Sequence, residues 1–228
     1  MCQWLPDRPD LRYGASMVTG AKGTKLNRRG LQTRHTVLVT AIDALAAHGV
    51  SEPVSASLIT RKAGVTWGVV QHQFGDVDGL WAAVLRHILG EWEPVPASLE
   101  REASLGDSIA AIVLRFWRLL GTIQARAVIN LRSLLPSSRA ELEAGFPQAA
   151  AAVAEWDRAW VHAYERAFEG LPVDQARLDT VRLFLPGALS GLRAEFETGG
   201  YVDQARARDG LIDVIVAYLS PGVGIGQN

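Results

Sequence analysis

Residues 55–74 read Ser-Ala-Ser-Leu-Ile-Thr-Arg-Lys-Ala-Gly-Val-Thr-Trp-Gly-Val-Val-Gln-His-Gln-Phe, and the fold follows from this stretch. Ser55 is a good N-cap, and Leu58, Ile59 and Ala63 mark a short helix that Gly64 ends. Thr66 is a second cap, opening another short helix from Trp67 to Phe74 that Gly75 and Asp76 close. Ala63 is small enough for the two helices to cross closely. Gly64 admits the left-handed backbone that reverses the chain, and Val65 is expected to bury beneath the turn. Such a pair is a helix-turn-helix, and its second helix has the dimensions to enter the major groove of DNA.

Outward from this corner the apolar spacing stays three-and-four. Leu38, Ile42 and Leu45 share a face between Arg34 and His48, with Gly49 as the stop, and Leu80, Val84, Leu85 and Ile88 mark a fourth helix. Beyond Pro94 and Pro96 the helices lengthen. One carries Ile109, Ile112, Val113, Phe116, Leu120 and Ile123, the next Val128, Leu131 and Leu135. Pro147 opens another, bearing Val153, Trp156, Trp160 and Tyr164, and two more run over about 174–198 and 203–219. No stretch alternates with period two for long enough to make a strand. The expected architecture is all-α with about nine helices. It comprises a mobile basic arm (1–30, with Met17 an alternative start), a three-helix DNA-binding head (31–77), a helical ligand-binding and dimerisation body (78–220) and a disordered tail (221–228).

Of the 228 residues, 48% are apolar and 21% charged, enough for a packed core and too apolar for general disorder. The single cysteine, Cys2, excludes a disulfide framework and a thiolate metal cage. No apolar run approaches a membrane span and no secretory leader is recognisable, so a cytoplasmic, nucleoid-associated protein without membrane contact is expected. The net charge is only −1, but it is unevenly spread. Up to Gly90 there are ten basic and six acidic residues, and beyond it thirteen basic and eighteen acidic. A basic head on an acidic body draws phosphate backbones to one end of the molecule.

The Ala63-Gly64-Val65 turn, the Thr66 cap, Gly68, Val70 and Phe74 resemble the TetR family of bacterial transcriptional regulators. Leu80, Ala83 and Val84 agree with that family, as do Ala41, Leu45, Gly49 and Val50 before the turn, so the resemblance covers roughly residues 34–90. It implies a homodimer that places two reading helices on an inverted repeat of double-stranded DNA. Two habitual phosphate contacts are replaced: Gln71 stands at the usual tyrosine and Val77 where a lysine often opens the fourth helix. Arg28, Arg29, Arg34, Arg61 and Lys62, with Lys25, are the candidate replacements; Ser55, Thr66 and Gly68 are further DNA-binding candidates, and the free N–H groups of the helix that Thr66 caps favour a nearby phosphate. Trp67, Val69, Gln71, His72 and Gln73 are the expected base readers, since glutamine pairs with adenine and apolar groups touch the thymine methyl.

In the body, Phe116, Trp117, Trp156, Trp160, Tyr164 and Phe184 are candidates to line a pocket for a flat or apolar effector, with Arg126 and Asn130 as polar anchors. Core packing is the competing role for each aromatic. The last two helices are apolar over too much circumference for one chain to cover. Leu178, Val181, Leu185, Leu189, Leu192, Phe196, Leu211, Ile215 and Tyr218 are therefore expected at a dimer interface, and Pro186 should kink its helix. The functional expectation is a repressor released from its operator by a small apolar or aromatic molecule. Alternatives are an activator, or a regulator acting through a protein partner. A small helical enzyme is a third class without support: His35, His48, His72, His87 and His162 make no metal spacing, and neither a GxSxG nor a P-loop occurs. No catalytic residue, metal or cofactor is expected.

Overall fold

A computed structural model describes residues 20, 21, 23, 25–47, 54–91, 104–197, 199 and 203–220. Trp92, the tail, and all but a few residues of the expected arm lie outside the described residues, as do His48 and Gly49. The described residues form ten helices and no strand-based sheet: α1 Arg28–Ala46, α2 Ala56–Ala63, α3 Trp67–Phe74, α4 Val77–Glu91, α5 Leu105–Leu120, α6 Ile123–Leu134, α7 Arg139–Gly145, α8 Pro147–Ala167, α9 Gln175–Glu197 and α10 Gln204–Leu219. The tenth is α7. It buries no residue, so it has no apolar period to read, and it is held by Ser138 Oγ accepting from the Glu141 N–H at 3.1 Å.

Helix α1 starts six residues before the expected start at Arg34, because Asn27 Oδ1 accepts from the Gly30 N–H at 2.8 Å and caps it. Arg28 and Arg29 thus stand on a helical turn, not in a mobile arm. Gly20 and Ala21 are also placed: the Ala21 N–H donates to the His72 carbonyl at 3.2 Å. A Cβ on Gly20 would meet that carbonyl oxygen at 2.9 Å, which is why the close approach takes glycine.

The buried apolar residues divide into two clusters. The first unites α1, α2, α3 and α4 with Val128 and Leu131 of α6 and Val153 and Trp156 of α8. The second fills the space between α5, the C-terminal half of α8, α9 and α10, with Phe116 and Phe168 among its largest members. The head's core therefore continues into the body. Among the described residues no single helix is long and apolar enough to cross a membrane; α5 and α6, which together have that composition, are bent by 68° and bury their apolar stripes in these clusters.

Helices α4 and α8 form the most extensive helix pair. Pro147 occupies the first turn of α8, and its N-cap residue Phe146 has no side-chain acceptor. That role is taken from seventy residues away. The buried Asp78 accepts from the Gln148 N–H through Oδ2 at 2.9 Å and from the Ala149 N–H through Oδ1 at 2.7 Å. Two turns further along both helices, Arg86 and Glu155 make a two-pronged pair, with Nε to Oε2 at 3.0 Å and Nη2 to Oε1 at 2.9 Å. The two helices consequently run side by side in the same direction. The hydrogen bond to Glu155 raises the Arg86 pKa, and Arg86 lowers that of Glu155 in turn.

Asp78→Ala leaves two N–H groups at the start of α8 without an acceptor, one of them buried. We expect a loss of about 2–4 kcal/mol in urea unfolding, and a smaller loss for Asp78→Asn, which keeps one acceptor. Stability unchanged by the alanine would mean that α8 is held by other contacts.

Candidate nucleic-acid interface and adjoining cavity

The turn between α2 and α3 has the geometry its residues dictate. Gly64 sits at φ +65°, ψ +30°, and its N–H and that of Val65 return to the Arg61 and Thr60 carbonyls at 3.3 and 3.0 Å. Ser55 Oγ accepts from the Leu58 N–H at 3.2 Å, so this side chain caps α2. Thr66 occupies the N-cap position of α3, but its hydroxyl makes no capping bond, contrary to expectation. Gly79 brings α4 hard against the end of α3, where a Cβ would lie 1.9 Å from the Phe74 carbonyl oxygen.

Trp67, Gly68, Gln71 and His72 are exposed on α3, and Val69 is half-buried. Trp67 is 37% accessible. Arg61 and Lys62 are exposed at the end of α2, and Lys25, Arg28 and Arg29 at the start of α1.

Two expected DNA contacts are turned inward. Gln73 is only 5% exposed, and its Nε2 donates to the Gly30 carbonyl at 3.1 Å, because its position on α3 faces α1. Arg34 is half-buried: Nη1 donates to the Gln73 carbonyl at 2.8 Å, and the guanidinium lies 4.3 Å from the centre of the Phe74 ring. Both residues brace α3 against α1. Spacing along α3 put Gln73 among its polar outward residues; only the position of α1 reveals the inward turn.

Behind this brace, the buried His87 of α4 meets His35 of α1 edge to face at 5.8 Å and pairs with Glu91 through Nε2 at 3.3 Å. Its pKa is lowered, chiefly by burial, with Glu91 opposing and His35 and Arg34 assisting. A depressed histidine pKa means that the unfolded chain takes the proton first. Stability is then complete above the ordinary value of about 6.5 and declines as pH falls through it toward the folded value. We expect the melting temperature to drop between pH 7.5 and 5.5, and His87→Gln to make that drop shallower. A parallel profile for the variant would assign the dependence to another group.

On the other side of α8 is a cavity of about 640 Å³ between α6, α8 and α9, with Leu120 at the end of α5. Trp156, Trp160 and Tyr164 line it, as expected, together with Val128, Ile129, Val161, Leu183 and Pro186. Two ion pairs flank it, Arg132 with Asp157 and Arg182 Nη1 with Asp179 Oδ1 at 2.9 Å; Glu165 completes the charged lining. Burial raises the Tyr164 pKa, which keeps the phenol neutral.

The other candidates do not line this cavity. Phe116 is fully buried and stacks on Tyr164 at 4.0 Å, Trp117 is buried beneath Arg193, and Phe184 faces solvent. Asn130 donates from Nδ2 to the Leu45 carbonyl at 2.8 Å, tying α6 to the end of α1. Arg126 is half-buried with its Nε unsatisfied, yet lies off the cavity lining. Val161, Leu183 and Pro186 escaped sequence reasoning because a residue that lines a cavity between helices looks like any other apolar position until the helices are docked.

Of the expected interface residues, Leu178, Val181, Leu185, Leu189 and Ile215 are buried inside the chain's own second cluster, and Leu192, Leu211 and Tyr218 are half-buried against it. Phe196 is exposed. The outer faces of α9 and α10 carry different residues: Leu183 at 85% and Val214 at 63% accessible, with exposed Gly187, Gly191 and Gly210 that have open space where a Cβ would be. Pro186 lies inside α9, where its missing N–H removes one helical bond without ending the helix.

No family model and no curated protein sequence matches the chain. Solved structures do. NalD, the secondary repressor of the MexAB-OprM multidrug efflux pump in Pseudomonas aeruginosa, aligns with TM-score 0.54 and 17% identity over 86% of this chain and 100% of its own. The multidrug binding protein EbrR, solved with imidazole, aligns with TM-score 0.52 and 19% identity over 88% and 97%. A TetR transcriptional regulator from Rhodococcus sp. RHA1 gives 0.46 and 19% over 85% and 99%. At such identities the likeness to NalD and EbrR is one of fold, and it spans head and body together.

Proposed function

We propose that the chain is a sequence-specific DNA-binding transcriptional regulator of the TetR type, a repressor in the cytoplasm whose homodimer leaves its operator when a small apolar or aromatic molecule binds. The observation that carries this reading is the outer face of α3. A left-handed Gly64 turn presents Trp67, Gln71 and His72 to solvent, with Arg61, Lys62, Arg28 and Arg29 exposed on the neighbouring helices. The fold shared with a repressor and a multidrug binding protein supports it.

The cavity supports the sensing half. Its aromatic wall belongs to α8, whose first turn and middle are bonded to α4 by Asp78 and Arg86. α4 in turn abuts the end of α3 at Gly79. A ligand that shifts α8 would carry α4 with it and re-aim α3. Release then requires only that the ligand bind the shifted arrangement more tightly.

Selection of bound duplexes from a random pool should return an inverted repeat with half-sites about 34 Å apart. Gln71→Ala and Trp67→Ala should each weaken binding about tenfold to a hundredfold and relax selectivity at one position. Neutralising Arg28 and Arg29 should instead weaken all duplexes alike and lower the salt slope by about two. No preference for any duplex would overturn the reading.

The outer face of α9 and α10 supports a second copy as its partner, because glycines between projecting Leu183 and Val214 allow close helix approach. Val214→Arg should convert a dimer into a monomer in sedimentation experiments, with little change in the stability of the fold. A dimer that survives it would place the interface elsewhere.

A further inference from the structure

The last turn of α3 has three consecutive carbonyls that are each satisfied by a donor from beyond the helix. Gln71 takes the N–H of the Gly75 cap at 2.9 Å, Gln73 takes Arg34 Nη1 at 2.8 Å, and His72 takes the Ala21 N–H at 3.2 Å. The opposite end of α3 has no side-chain capping bond. Two of the three donors belong to the chain ahead of α2, so the orientation of this two-turn helix is set from its C-terminal end by the leading segment and α1.

The leading segment is built for that approach. Gly20 is buried, and a Cβ there would meet the His72 carbonyl oxygen at 2.9 Å and Leu26 Cδ2 at 3.6 Å. Leu26, itself buried, also lies against Gly30 of α1, whose carbonyl accepts from Gln73. Ala21 is the second residue of a turn that the Gly23 N–H closes on the Gly20 carbonyl at 2.9 Å. The same stretch carries the positive charge of the head. Residues 17–29 contain Lys22, Lys25, Arg28 and Arg29 and no carboxylate, whereas residues 30–77 balance Arg34, Arg61 and Lys62 against Asp43, Glu52 and Asp76.

Resting on the DNA-reading proposal above, we propose that Gly20 and Ala21 are positioning residues for base readout: they clasp the C-terminal end of α3 and so fix where Gln71 and His72 meet the base edges. The clasp also joins the two parts of recognition. Phosphates act on Lys25, Arg28 and Arg29, which are exposed, and the chain that bears them is bonded to the helix that reads. Sequence selectivity thus depends on two small residues outside the helix-turn-helix, acting through the His72 carbonyl.

The test is the ratio of affinities for the selected operator and for a random duplex of equal length, measured with the full chain. That ratio does not move when a fraction of the protein is merely unfolded. Proline suits the second position of a turn, so Ala21→Pro removes the donor and keeps the turn. It should lower the ratio about threefold to tenfold, the worth of one hydrogen bond, with selectivity relaxed at the base pairs read by Gln71 and His72. Gly20→Val, whose branched side chain forces the carbonyl away, should do the same. Ala21→Gly, which keeps the N–H, should leave the ratio at its wild-type value. Because every cation remains, affinity for the random duplex should stay within about twofold in all three variants. A ratio unchanged by Ala21→Pro, or lowered equally by Ala21→Gly, would overturn the clasp and leave the DNA-reading proposal standing. A wild-type chain that prefers no duplex overturns both.

Discussion

The carboxylate of Asp78 sits at the point on which the arrangement of the whole chain turns. A helix that begins with proline after a phenylalanine has N–H groups to satisfy and no local side chain to do it. Asp78 supplies both oxygens from the first turn of another helix, where its burial would be costly were those bonds absent. The bond sets where α8 begins relative to α4, and the Arg86–Glu155 pair two turns on sets their rotation. With α8 placed, Trp156, Trp160 and Tyr164 face α6 and α9 and leave the cavity between them.

The same economy holds one residue further on, in the same first turn of α4. Gly79 lets its backbone touch the last carbonyl of α3, and Arg34 and Gln73 lock α3 to α1 from the opposite side. The exposed face of α3 is therefore oriented by contacts on two sides, and neither uses the side chain of Trp67, Gln71 or His72 as a brace. Those side chains remain available to a partner, whereas Arg34 and Gln73, charged and polar though they are, serve the packing. A continuous core from head to body makes any shift of α8 a shift of the head's support as well.

Much of this was legible from residue order. Gly64, flanked by Ala63 and Val65, prescribes its own turn, because φ near +65° is open to glycine and closed to most others. Apolar stripes located every helix that buries a face, and missed α7 and the first turn of α1, which bury little. The last two helices show the limit of the method. Their apolar residues spread round much of each helix, yet spacing could not say which side faces inward, and Leu178, Val181, Leu185, Leu189 and Ile215 proved to be the inner side.

Local chemistry determines caps, turns and the period of each helix, since these depend on residues within a turn or two of one another. The helix-turn-helix, the all-helical class and the basic leading segment were settled at that level. Tertiary structure alone decided which polar residues became internal braces, which aromatics bound a cavity and which packed solid, and which face of α9 and α10 stayed open. Each of those outcomes depends on a neighbour dozens of residues away, whose position is set by how the helices dock and by no pattern within either one.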